Sequence, residues 1–365
     1  MHGVRDASRR RALRVGGTAL AAGLAGCNGM LGRSGSNTST STGVRAVLNW
    51  KPNPTQAGYF VAQDRGFYAD QGLDVDLVPG QGGSFATKQV GLGNAAIGLG
   101  SGVAVLQARA KELPVRSYAA AQQSSNAALF TVEEAFGGSL SDVSQLEGAR
   151  IAVVSGSAKT KTYLESLLAT ADISESVDLV SVGVEQQTSN LLAGNVDVAT
   201  GIFSNALALE TEGYDASLLL VGDYVPTVGR AVFARPSYVA DNQEAVRGFL
   251  RATARGWAAA ANDPQAAEDA MIAAQPSLRS SRDLGVTKIK FTAKHLIATD
   301  AVREHCWGWQ SGETWRRVHG SLASAGILPD DMDVDAAWSN DALDTSAPAI
   351  GDFADRVNVD YRTQI

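Results

Sequence analysis

The chain has 365 residues, 45% hydrophobic and 19% charged, with 38 acidic against 31 basic side chains and a formal net charge of −7. That length exceeds what one hydrophobic core ordinarily serves, so two α/β lobes are expected, and the acidic balance argues against nucleic acid as a partner. Cys27 and Cys306 are the two cysteines, too few for a thiol metal cluster; with Cys27 spent at a processing point, Cys306 has no partner for an internal disulfide.

The start reads Ser8-Arg9-Arg10-Arg11-Ala12-Leu13-Arg14, then an uncharged stretch from Val15 to Ala25, ending in Leu24-Ala25-Gly26-Cys27. A charged segment, a short apolar run and small residues before a cleavage point are the parts of an export signal. At about 1.5 Å per residue this run falls short of a hydrocarbon core of about 30 Å, so it reads as a leader and not as a spanning helix. Ser-Arg-Arg-x-x-Leu resembles a twin-arginine leader, a receptor-read address. Leu-Ala-Gly-Cys resembles a lipobox, whose Cys27 becomes the lipidated first residue; an ordinary buried cysteine is the alternative. Residues 1–27 are thus assigned to the signal. The Gly-, Ser-, Thr- and Asn-rich residues 28–43 form a flexible linker, and the folded body is expected from Val44.

In the body, strand-like runs alternate with helix-like ones. Ala46–Trp50, Leu73–Val78, Ala95–Leu99 and Val115–Ala120 are the first series of strands, and Arg150–Val154, Val177–Val182, Val196–Ile202 and Leu218–Val221 the second. Helices are expected near Thr160, Glu185 and Asn205, and from Ala245 to Asn262. This alternation predicts βαβ units and largely parallel sheets. Two extended segments, Gln122–Val132 and Tyr224–Ala234, flank the second series and predict a hinge of two crossing strands. Lobe 1 is assigned to residues 44–125 and 232–345, and lobe 2 to residues 126–231.

Ligands of open α/β sheets sit beyond the carboxyl ends of the strands. After the first strand comes Trp50-Lys51-Pro52-Asn53-Pro54-Thr55-Gln56-Ala57-Gly58-Tyr59, which puts an aromatic face and the amides of Asn53 and Gln56 in one loop, equipment to stack on and hydrogen-bond a flat polar ring. Trp50 as a core cap is the alternative. Ser101-Gly102 and Gly156-Ser157-Ala158 each lead into a helix, where free backbone N–H groups hold acidic or carbonyl oxygens or are simply capped by serine. Phe203 and Asn205, with Tyr224 near the return crossing, are candidates to face Trp50 across the cleft; Phe203 as plain core is equally compatible with the pattern.

Catalytic groups are scarce. His295, His305 and His319 lie in the helical tail without metal-ligand spacing, and Gly-x-Ser-x-Gly and Walker patterns are missing, so neither an enzyme nor a cofactor nor a metal site is expected. Trp307, Trp309 and Trp315 read as packing of the tail on lobe 1.

Leu48-Asn49-Trp50-Lys51-Pro52-Asn53-Pro54-Thr55-Gln56-Ala57-Gly58-Tyr59-Phe60, Arg65-Gly66-Phe67-Tyr68, Gln107-Ala108-Arg109-Ala110-Lys111 and Leu146-Glu147-Gly148-Ala149-Arg150-Ile151 resemble motifs of the thiamine-pyrimidine-precursor binding family, part of the sulfonate and nitrate binding-protein superfamily. The resemblance implies an α/β, type II periplasmic-binding-protein fold: two lobes, a hinge and a central ligand cleft. It also implies delivery of a small planar heterocycle to the permease and ATPase subunits of an ABC importer, and with the leader and lipobox the expectation is a monomeric lipoprotein on the outer face of the membrane. A sulfonate-, nitrate- or taurine-type solute is the alternative. Carried over, Trp50 resembles the ring-stacking tryptophan and Asn53 the motif asparagine, whereas Gln56 stands where many members have histidine. Many relatives show Tyr-Trp-Asn-Trp-Glu in lobe 2; this chain has Phe203-Ser204-Asn205-Ala206-Leu207 and lacks the acid. The family's enzyme branch, which makes the pyrimidine, would place its lysine at Gly100 and its histidine at Ala104, which argues against that activity here.

Overall fold

The computed structural model describes residues 41–155, 158–183 and 185–361. Cys27, Gly156 and Ser157, and the side chain of Ala158, lie outside the described residues. Ten strands are described: β1 (Thr42–Val47), β2 (Leu73–Val78), β3 (Ile97–Ser101), β4 (Arg116–Ala120), β5 (Ala127–Val132), β6 (Arg150–Val154), β7 (Asp178–Val182), β8 (Val198–Ile202), β9 (Ala216–Leu220) and β10 (Arg230–Ala234). They form two five-stranded sheets, ordered β2-β1-β3-β10-β4 and β7-β6-β8-β5-β9.

The two sheets repeat one plan. In the first, β1 pairs in parallel with β2 and β3, and β10 runs antiparallel between β3 and β4. In the second, β6 pairs in parallel with β7 and β8, and β5 runs antiparallel between β8 and β9. The odd strand in each sheet is the one by which the chain arrives from the other: β5 on leaving β4, β10 on leaving β9. Central strands covered by helices on both faces need apolar residues throughout, and β10 (RAVFA) is buried at all five positions. Gly98 makes that packing possible, since a Cβ there would lie 2.3 Å from the Phe233 ring of β10.

β1 begins at Thr42, inside the stretch read as linker, because its pairing with Leu73 and Asp74 uses backbone groups that any residue supplies. It also ends before Trp50. Gly80 donates its backbone N–H to the Trp50 carbonyl at 3.1 Å and Gly82 to that of Asn49 at 2.7 Å, so these two residues turn toward the loop after β2 instead of continuing the ladder.

The tail packs on the first sheet through an apolar helix contact. Helix Gln243–Asn262 crosses helix Ala57–Asp64 so closely that a Cβ on Gly256 would lie 2.0 Å from the Gly58 carbonyl oxygen, and one on Gly58 would lie 2.3 Å from the Trp257 ring. Trp257, Trp307 and Trp315 are fully buried, and Trp309 stacks on His305 with ring centroids 4.2 Å apart. Helix Arg282–Phe291 runs on into a π-helical turn, Thr292–Ile297. Among the described residues no helix is long and apolar enough to cross a membrane.

One acid in this tail is out of place. Glu268 is fully buried against Gly285, and both its carboxylate oxygens lack a hydrogen-bond partner among the described residues. Burial pushes its carboxyl up to about 7, against the pull of Arg282 and Lys288. A folded-state value above the unfolded one means that the contribution to stability is complete below the ordinary glutamate range and is lost as pH rises through about 7. Glu268→Gln is therefore expected to stabilise the protein by about 1–3 kcal/mol at pH 8 and to change nothing below about pH 4, read from melting temperatures across that range.

Candidate functional site

The loop after β1 is held rigid by its own amides. Asn53 caps the short turn Pro54–Gln56: its Oδ1 accepts from the Thr55 hydroxyl at 2.6 Å and from the Thr55 N–H at 3.2 Å, while its Nδ2 donates to the Lys51 carbonyl at 2.9 Å. Gln56 closes the box, accepting from the Asn53 N–H at 3.2 Å and donating to Asn49 Oδ1 at 2.9 Å. What this network leaves outside is the Trp50 ring, 54% exposed in a chain whose other tryptophans are packed or partly covered. A core residue of that size would be buried.

Trp50 lines the middle one of three adjoining cavities of about 200, 330 and 120 Å³. All three touch Asn126, the first two share Asn49 and Arg230, and the last two share Ile202. The first sheet contributes Asn49, Trp50, Asn53 and Ser101 from the ends of β1 and β3; the second contributes Asn126, Ile202 and Ser204 from the start of β5 and the end of β8. Gln122, Ser125, Val228, Gly229 and Arg230 come from the two connections that pass between the sheets. Those connections are bonded to each other, Gln122 N–H to the Arg230 carbonyl at 3.2 Å and Ser125 N–H to Thr227 Oγ1 at 2.9 Å. A Cβ on Gly229 would lie 2.3 Å from the carbonyl oxygens of both Gln122 and Ser124.

The structure brings together only part of the residue set expected from the sequence. Trp50, Asn53 and Ser101 line the cavities, although Ser101 Oγ also accepts from the Ala104 N–H at 3.3 Å as a helix cap. Gln56 does not reach the cleft; it is fully buried, and its amide is used within the loop. Gly102 is a packing glycine: a Cβ would lie 2.4 Å from Val228, and its N–H is already bonded to the Gly229 carbonyl at 3.0 Å. Phe203 does not face Trp50. It is core, stacked on Phe291 at 4.4 Å. Asn205 accepts from the Ile202 N–H at 3.0 Å, capping its own helix, and Tyr224 packs as a partly buried ring beside Asp142 and Asp223, lining none of the three cavities.

Sequence reasoning missed the most unusual group. Arg230 opens β10 and is buried, bonded through its terminal nitrogens to the Thr55 carbonyl at 2.7 Å and more loosely to Thr55 Oγ1 at 3.4 and 3.5 Å. Its Nε has no protein partner and no carboxylate pairs with it among the described residues. Burial pulls the guanidinium below the usual arginine range, yet arginine stays charged in proteins. Enclosing such a charge without a counter-charge costs several kcal/mol. The signal was present in the sequence as the lone charge opening an otherwise apolar strand, Arg-Ala-Val-Phe-Ala. Lys288, from the tail helix, lines the same middle cavity and is likewise lowered by burial, with Glu268 pulling the other way. None of the residues lining the three cavities is Asp, Glu or His.

Among the described residues, Cys306, His295, His305 and His319 all lie outside these three cavities. Burial pushes the Cys306 thiol up to about 11, His319 Nε2 bonds to the Pro329 carbonyl at 2.9 Å, and His295 packs on Phe291. Among the described residues no three His, Cys, Asp or Glu side chains are grouped to hold a metal.

Two sheets joined by crossing strands around a cleft define a protein of the periplasmic-binding-protein fold. The chain belongs to the NMT1/THI5-like family, whose model matches residues 53–267. It is 30% identical to a formylaminopyrimidine-binding protein of Halalkalibacterium halodurans over 64% of this chain and 70% of that one. It is also 26% identical to the riboflavin-binding protein RibY of Chloroflexus aurantiacus over 82% of this chain and 85% of that one. A 4-amino-5-hydroxymethyl-2-methylpyrimidine phosphate synthase of Legionella pneumophila is 24% identical over 83% and 93%. Among solved structures, the periplasmic aliphatic sulphonate binding protein SsuA of Escherichia coli superposes with a TM-score of 0.62 at 13% identity, covering 81% of this chain and 91% of that one.

Because Phe203 is core, Phe203→Ala is expected to cost about 3–5 kcal/mol of stability while leaving the solute affinity of the folded fraction unchanged, which thermal melts and calorimetry on the same preparation separate.

Proposed function

We propose that this protein is the solute-binding component of an ABC importer, exported by its leader and held on the outer face of the membrane by a lipid on Cys27. In this reading it takes up a small planar heterocycle between its two sheets and hands it, as a monomer, to permease and ATPase subunits. The observation that carries the reading is Trp50, a rigidly mounted and exposed ring at the mouth of a cleft that draws polar groups from both sheets. A flat solute stacked there gains ring-on-ring contact, and the amide of Asn126 and the hydroxyl of Ser204 meet it from the second sheet. Contacts from both sides are what make closure of the sheets over a solute favourable. The names of the Halalkalibacterium and Chloroflexus relatives support a ring as cargo.

A synthase is the second reading, favoured by the names of more distant relatives such as the Legionella protein. Against it stand Gly100 in β3 and Ala104, buried in helix Gly102–Arg109, at the two positions where the resemblance would put a lysine and a histidine.

Calorimetry against pyrimidines, thiamine, flavins, nitrate and alkylsulfonates tests the proposal. Binding to a heterocycle, lost at least 100-fold in Trp50→Ala with the melting temperature preserved, is the expected result; binding to sulfonates alone sinks the ring-stacking version. In the source cell, Cys27→Ser is expected to move the protein from the membrane fraction to the soluble extracytoplasmic fraction, which fractionation and immunoblotting read.

A further inference from the structure

We infer that the solute presents acceptor oxygens to Arg230, as ring carbonyls or as an acidic substituent, so that the cleft selects a ring dione or acid over an aminopyrimidine. This rests on the solute-binding reading and narrows its cargo.

Arg230 lines the cavities of about 200 and 330 Å³, and among the described residues its side-chain hydrogen bonds go to the backbone carbonyl and hydroxyl of Thr55. The guanidinium is largely buried and has no anion beside it among the described residues, so a solute oxygen arriving from the cavity supplies the missing counter-charge. The fork of guanidinium donors fits two oxygens side by side, the geometry of a carboxylate or of neighbouring acceptors on a ring edge.

Two further groups at this end of the space share that polarity. Lys288 brings a second cation. Asn49 has its carbonyl oxygen occupied by Gln56, which leaves its NH₂ to donate. Among the described residues no carboxylate lines these three cavities, although the chain carries 38 acidic residues. An exocyclic amine or protonated ring nitrogen turned toward Arg230, Lys288 and the Asn49 NH₂ would meet donors with donors, a mismatch that disfavours it there. Arg230 also opens the strand by which the chain returns to the first sheet, so a solute held there sits on the crossing itself.

The test is calorimetry on the full chain using three solutes: riboflavin, a neutral ring dione; orotate, a dione bearing a carboxylate; and formylaminopyrimidine, an aminopyrimidine. The expected result is that riboflavin or orotate binds at least tenfold more tightly than formylaminopyrimidine, and that Arg230→Gln removes that preference. Lys288→Ala is expected to weaken orotate several-fold and to flatten its salt dependence while leaving riboflavin nearly unchanged; orotate as the better ligand marks an acid as the cargo, riboflavin a neutral dione. Melting curves confirm folding of Arg230→Gln. Should it fail to fold, Arg230→Met, which keeps the stem volume, and Lys288→Ala carry the comparison. Formylaminopyrimidine binding as tightly as the diones, or a preference unaltered in the Arg230 variant, overturns the inference while leaving the solute-binding reading intact. Silence from all three solutes, and from the wider panel above, overturns both.

Discussion

The backbone carbonyl of Thr55 accepts a hydrogen bond from Arg230 at 2.7 Å and another from Gln122 at 3.0 Å. Each donor belongs to one of the two connections between the sheets, so a single oxygen ties the Trp50 loop to both halves of the crossing. The Asn53 cap fixes that oxygen from the other side by holding the Thr55 N–H and hydroxyl. Loop, crossing and buried charge are therefore one unit. The position of the Trp50 ring relative to the second sheet follows from the path of the crossing strands.

Around this unit the packing is apolar and close. The glycine contact between helices Ala57–Asp64 and Gln243–Asn262, sealed by Trp257, seats the tail against the first sheet and brings Lys288, on the helix Arg282–Phe291, to the edge of the cleft. The tail thus completes the wall of the middle cavity as well as the core. Against an acidic body, a cleft whose charged groups, among the described residues, are an arginine and a lysine sets up a local positive potential, strengthened because low-dielectric walls focus the field. Surface ion pairs such as Arg45–Asp76 are solvated on both sides and add little to stability.

The alternation of strand and helix was readable from apolar runs in buried strands such as β6 and from apolar–polar alternation in the edge strand β2; β2, β6 and the later strands lie within a residue or two of the expected spans. The crossing segments were readable as two extended stretches flanking the second series. Site residues were harder. Gln56 and Asn205 each stand three residues after the start of a turn or helix, a spacing that serves a capping box as well as a ligand contact, and in both cases the backbone took the amide. Phe203 follows a strand, where ligand-facing aromatics also occur, and its burial depends on Phe291, a residue far away in the chain. Tyr224 was placed by its nearness in sequence to the crossing, but the short helix that carries it turns it to the side of the second sheet.

By itself the sequence determined a leader-like start, a two-sheet α/β body, an aromatic and amide-rich loop after the first strand, and the scarcity of catalytic groups; all of these are local or compositional properties that the order of residues spells out directly. Only the tertiary structure decided which polar side chains face the cleft and which cap the backbone, and only it showed Arg230 enclosed without an acid. Charge compensation is a matter of distance in space, and the residues that surround Arg230 come from the first loop and from both crossings. Their separation along the chain hides from sequence what a few ångströms in the fold make plain.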